Sequence, residues 1–153
     1  MFVKMRRYIV LAAVILIMIS LAVYLALPHY RLSPYNDIAL GTEEITVSTD
    51  KQVYDSKSDT CITVVTKNHG EKDFSFDRKI YLEFENHGKW YGVDVEYYYF
   101  SDFEYLRSGE QQIEHLYLKG IDPSDINHMR SHACRVVKTI EDSYYVSDVF
   151  YIK

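Results

Sequence analysis

Cys61 and Cys134 are the only cysteines in this chain of 153 residues. Two thiols and no more suggest one disulfide, provided the part that carries them lies in an oxidising compartment. Closing so long a loop would stabilise by ~4 kcal/mol in the chain-entropy view. Two separate thiols are the alternative. His128, His132 and Cys134 have a spacing that metal ligands can have, and the two histidines share a face if a helix reaches both. Only these three are near one another in sequence, so exposed histidines are the plainer reading and no metal is expected. Glu83 with Glu85, and Asp94 with Glu96, alternate along strands. Paired carboxylates can work on sugars or bind calcium, although alternating acids more often mark a strand's wet side. There is no G-x-S-x-G, no H-E-x-x-H and no phosphate-cradling glycine loop. No catalytic residue and no cofactor are therefore assigned, and the expectation is a protein that is not an enzyme. The densest aromatic cluster is Tyr97, Tyr98, Tyr99 and Phe100, with Phe103 and Tyr105 beyond it. Rings of this kind stack on a glycan or anchor a protein partner when exposed, and fill a core when not.

These residues must be held by strands. Ile45 and Val47 alternate with Thr46 and Ser48, which predicts a strand over Glu44–Asp50. A second runs over Thr60–Lys67, with Ile62 and Val64 on one face and Cys61, Thr63 and Val65 on the other. In Arg78–Glu85, Ile80, Leu82 and Phe84 alternate with Tyr81, Glu83 and Glu85, the clearest one-face-buried strand in the chain. Asn86-His87-Gly88 then supplies a turn that tolerates positive φ, with Lys89–Val95 as hairpin partner. Glu96–Leu106 is aromatic but poorly periodic and reads as an excursion. Gln111–Lys119, His132–Ile140 and Tyr144–Ile152 complete the set, with Val146, Phe150 and Ile152 sharing a face in the last. One short helix is predicted from Pro123 to about Arg130. Asp122 caps it, Pro123 suits its first position, and Asp125 favours its first turn. About seven short strands with one helix in a connection predict a mainly β chain folded as a sandwich.

Residues 8–27 carry no charge, and Lys4, Arg6 and Arg7 stand before them. Twenty helical residues at ~1.5 Å each span the ~30 Å of a bilayer's hydrocarbon core. The basic tip puts the N-terminus in the cytoplasm and the rest outside. The expected organisation is a cytoplasmic end over 1–7, a transmembrane helix over 8–27, a spacer over 28–43 and an extracytoplasmic domain over 44–153. A signal peptide cleaved after Ala22 is the rival reading. All 22 acids but only 14 of the 17 basic residues lie beyond residue 28, so that part has a net charge of −8. Such acidity excludes nucleic acid as a partner and argues against electrostatic attachment to anionic lipid.

The order of short motifs resembles the bacterial immunoglobulin-like domains of exported or membrane-anchored proteins. The resemblance is carried by Asp50-Lys51-Gln52-Val53-Tyr54, by Ile62-Thr63-Val64 leading to Asn68 and Glu71-Lys72-Asp73-Phe74, and by Leu82-Glu83 running through Asn86 to Gly88-Lys89-Trp90-Tyr91. Gly109-Glu110, Arg135-Val136-Val137-Lys138 and Phe150-Tyr151-Ile152 follow in order. It implies an immunoglobulin-like β-sandwich outside the membrane and carries over no catalytic residue. It also sets the two cysteines in strands that face each other across the core, while turning Cys61 outward. The expected function is a membrane-anchored binding or structural module at the bacterial cell surface. Its partners would be the membrane, through residues 8–27, and an extracytoplasmic protein or glycan. A surface enzyme acting on glycans, or a regulatory subunit pairing through its transmembrane helix, are the alternatives.

Overall fold

A computed structural model describes residues 13–21, 30–37, 41, 43–95 and 104–153. Two compact units divide the chain, Met1–Tyr30 and Arg31–Lys153. In the first, residues 13–21 form a helix, α1. Among the described residues, no helix is long and apolar enough to cross a membrane.

The second unit holds eleven strands among its described residues. They are β1 (Arg31–Leu32), β2 (Ile45–Thr49), β3 (Val53–Tyr54), β4 (Cys61–Asn68), β5 (Phe74–Asn86), β6 (Lys89–Val93), β7 (Glu104–Leu106), β8 (Gln111–Tyr117), β9 (Cys134–Ile140), β10 (Ser143–Val146) and β11 (Tyr151–Ile152). One sheet has the order β1-β6-β5-β9-β10, with β7 also pairing β5, and the other has the order β2-β4-β8. A parallel pair, β3 with β11, stands apart from both. The period-2 pattern explains which faces meet. Ile62 and Val64 from β4, Leu82 and Phe84 from β5, and Cys134 and Val136 from β9 are all fully buried. Two strands are tied by a two-residue turn at His87 and Gly88, both at positive φ, as a tight hairpin of the right twist requires.

Several boundaries differ from the sequence expectation. β5 begins at Phe74, because Phe76 is buried and pairs Ile140, with a register shift before Ile80. The expected strand over Tyr144–Ile152 is split into β10 and β11. Ser147 bonds both backbone groups of Val136, through its N–H and its Oγ, and Phe150 bonds both of Cys134. That leaves one extra residue on the last strand, a bulge. As a result Tyr145, not Val146, joins Phe150 and Ile152 in the core. The helix α2 spans Pro123–Met129, capped by Asp122, whose carboxylate accepts from the Ser124 N–H at 2.8 Å. A 3-10 turn over Leu118–Gly120 replaces the end of the strand expected through Lys119. Residues 31–37, assigned to a spacer from sequence, belong to the sandwich unit: β1 extends the sheet at the β6 edge, with Arg31 opposite Gly92 and Leu32 opposite Tyr91.

One ionic pair crosses the interior. Lys138 on β9 is fully buried, its ammonium bonded to Glu114 of β8 and 4.4 Å above the Phe76 ring.

Candidate functional site

The outer face of the β1-β6-β5-β9-β10 sheet carries the most concentrated chemistry among the described residues. On β5, Glu83 points away from the core but is only 1% exposed. Its register partner on β9 is Arg135, and one carboxylate oxygen accepts from Arg135 Nε at 2.8 Å. The other accepts from the Ser33 hydroxyl, itself buried. The Arg135 guanidinium carbon lies over Trp90, 4.2 Å from the ring centroid, a cation–π contact.

What covers this pair is the chain's own segment 33–37. After β1 the backbone continues on the β6 edge, where the Ser33 N–H donates to the Trp90 carbonyl at 2.9 Å. Asn36 then grips the same residue twice: its amide donates to the Trp90 carbonyl at 2.9 Å and accepts from the Trp90 N–H at 2.8 Å. Tyr35 lays its ring across two others, 5.2 Å from Tyr81 and 4.6 Å from Tyr144. Burial, then its hydrogen bond to Tyr81, holds the Tyr35 phenol above the ordinary tyrosine range. Tyr81 remains 37% exposed at the margin. The arrangement is a buried, engaged ion pair with an aromatic border.

The residues singled out from sequence fall differently. Cys61 and Cys134 are both free. Cys61 sits half-buried on the outer face of β4, with Sγ 3.7 Å from His115 Nδ1, whereas Cys134 points into the core and is fully buried. The two thiols belong to different sheets, one on an outer face and the other in the core, so the expected bond does not form. Burial pushes the Cys134 thiol up to about 12. His128 and His132 do come together, stacked at 4.6 Å, but they pack on Phe84 and close the end of the core. Among the described residues no group of three His, Cys, Asp or Glu side chains could hold a metal.

Glu83 and Glu85 are not a working carboxylate pair. Glu83 is engaged as above, and Glu85 accepts from the Gly88 N–H in the hairpin turn. Of the second carboxylate pair, Asp94 is at the rim of an open, acidic hollow that also includes Asp122 and Asp125, and Glu96 lies outside the described residues. Tyr97, Tyr98, Tyr99 and Phe100, expected to meet a partner, likewise lie outside the described residues. Sequence reasoning missed Ser33, Tyr35, Asn36 and Arg135 as site residues. The available signal was Arg135 itself, a cation opposite no predicted partner in a mostly apolar strand that also carries Lys138.

The bacterial Ig-like domain profile matches residues 41–151. No curated protein and no solved structure matches the chain.

Proposed function

The chain belongs to the bacterial Ig-like domain family, and from that membership we propose a non-catalytic binding module, held outside a bacterial membrane by residues 8–27. The uncharged run behind Lys4, Arg6 and Arg7 supports the anchor. The observation that carries the binding role is the Glu83–Arg135 pair, with Arg135 over Trp90 and the Tyr35, Tyr81 and Tyr144 rings clustered on the same face, which would otherwise be a wet surface. Buried ion pairs are a poor way to gain stability, because desolvating two charges costs about what their attraction returns. Rigid aromatic rings around a guanidinium are what binding surfaces concentrate.

The test is cross-linking in intact membranes. The full chain should remain with the membrane after an alkaline wash and should capture a partner. Tyr81→Ala, on the proposed face, should lose that partner, and Tyr117→Ala, exposed on the opposite sheet, should keep it. Release by alkali would overturn the anchor, and equal capture by both variants would overturn the face.

A further inference from the structure

Cys61 and His115 form a nucleophile–base pair on the outer face of the β2-β4-β8 sheet. Strand register places them there. His115 lies opposite Thr63 of β4 and Cys61 lies opposite Tyr117 of β8, so the two are diagonal neighbours on one face. Cys61 Sγ is 3.7 Å from His115 Nδ1, and the Thr63 hydroxyl is 3.4 Å from the same nitrogen. Cys61 is half-buried and His115 is exposed, so a small molecule reaches the sulfur. A thiol on an accessible face, within reach of an imidazole that takes its proton, is the arrangement that activates a cysteine. The chain's other cysteine, Cys134, is fully buried in the other sheet and cannot attack a disulfide formed at Cys61.

We propose that Cys61 is a modification site, which forms a mixed disulfide by exchange with a low-molecular-weight disulfide. The Cys61 proton passes to His115 Nδ1, and the thiolate attacks one sulfur of the small disulfide. That S–S bond breaks. One half stays on Cys61, and the other leaves as a thiolate and takes the proton from His115. Cys61 is oxidised and the leaving sulfur is reduced, so the small disulfide is the only reactant needed. With no second thiol in reach, the adduct persists until an external thiol removes it. Cys61 of a second copy is a poorer partner. Tyr117, directly across the ladder and 52% exposed, stands beside the half-buried sulfur and holds another sheet face away from it. Two domains that each carry a net charge of −8 beyond residue 28 also repel.

Intact-mass measurement on the purified full chain in detergent tests this, with the neutral bis(hydroxyethyl) disulfide as probe. The wild type should gain one hydroxyethylthio group per chain, and Cys61→Ser should gain none. At about pH 7, His115→Gln should react about tenfold more slowly, and its rate should converge on the wild-type rate in alkali, where a thiol ionises unaided. Tyr117 and Lys119 from β8 and its exit, and Asp50 with the Lys51–Asp59 pair from the other side, also stand near the thiol and are unchanged in that variant. A second group added at Cys134 would report that a variant had unfolded. Thr63→Val, a change of nearly equal shape, keeps the test decisive in that case: it leaves His115 Nδ1 to the thiol alone and should not slow the reaction. An unmodified wild type, chains linked to one another in place of the adduct, a folded His115→Gln variant with the wild-type rate and pH profile, or a slowed Thr63→Val variant would each overturn the proposal.

Discussion

Glu83 shows how much one residue's role depends on what lies above it. Strand alternation assigns it to water together with Tyr81 and Glu85, yet Ser33 and Arg135 enclose it. Removing one member of a buried pair leaves the other charge without compensation. Glu83→Ala is therefore expected to lower unfolding stability by ~3 kcal/mol or more, while Glu85→Ala, which loses one bond to a turn, costs about 1 kcal/mol. Urea denaturation of the two variants would show it as a large midpoint shift in the first and a small one in the second. His128 gives a pH dependence of definite sign. Burial, then the neighbouring His132, lowers its pKa in the folded state below the ordinary 6.5. The unfolded chain then binds the proton more readily, so stability is complete above that unfolded value and is lost as the pH falls through it towards the lowered folded one. Melting curves should thus shift down between about pH 7.5 and pH 5.5, and His128→Gln should flatten the shift. A wild-type melt equally stable at both values, or a shift unchanged in the variant, would contradict this assignment.

The elements follow local rules except where a neighbour overrides them. The hairpin at His87-Gly88 was legible because positive φ at two successive positions calls for a residue such as glycine. The helix was legible from Asp122 and Pro123, since capping and a fixed φ act within a few residues. The short strands β1, β3 and β7 were not. Two or three residues carry no period, and each is a strand only because another edge pairs it. Glycines separate the same two influences. Gly41 has its role from packing: an added Cβ would sit 2.2 Å from the buried Tyr145 ring. Gly88 has its role from φ, at +76° with nothing near it, and Gly92 has neither constraint. Alanine at these positions should cost ~1–3 kcal/mol through overpacking at 41, about 1–2 kcal/mol through backbone strain at 88, and close to nothing at 92. Thermal unfolding of the three variants checks the order; a Gly92 variant as unstable as the Gly41 variant would refute it.

At the scale of the whole molecule, Lys138 and Glu114 join the two sheets through the core. Neither partner is replaceable alone. Lys138→Met should destabilise by ~3–5 kcal/mol because Glu114 keeps a charge it cannot solvate, whereas adding Glu114→Leu should recover most of that loss. A double-mutant cycle read by denaturant midpoints measures the coupling, and additive losses would show that the pair does not act as a unit. By itself the sequence determined the β-rich class, the principal strands and the helix, because period, turn chemistry and capping are local and each residue reports them directly, while the order of its short motifs carried the resemblance to the immunoglobulin-like family. It also left Cys61 facing outward. Only the tertiary structure decided that the two thiols stay apart, that the apparent spacer over 31–37 is part of the sandwich, and that Glu83, Arg135 and Trp90 form one site. Those facts depend on register between strands 50 residues apart and on which segment lies over which face, and no spacing along the chain encodes either. What covers that face was written only in three dimensions.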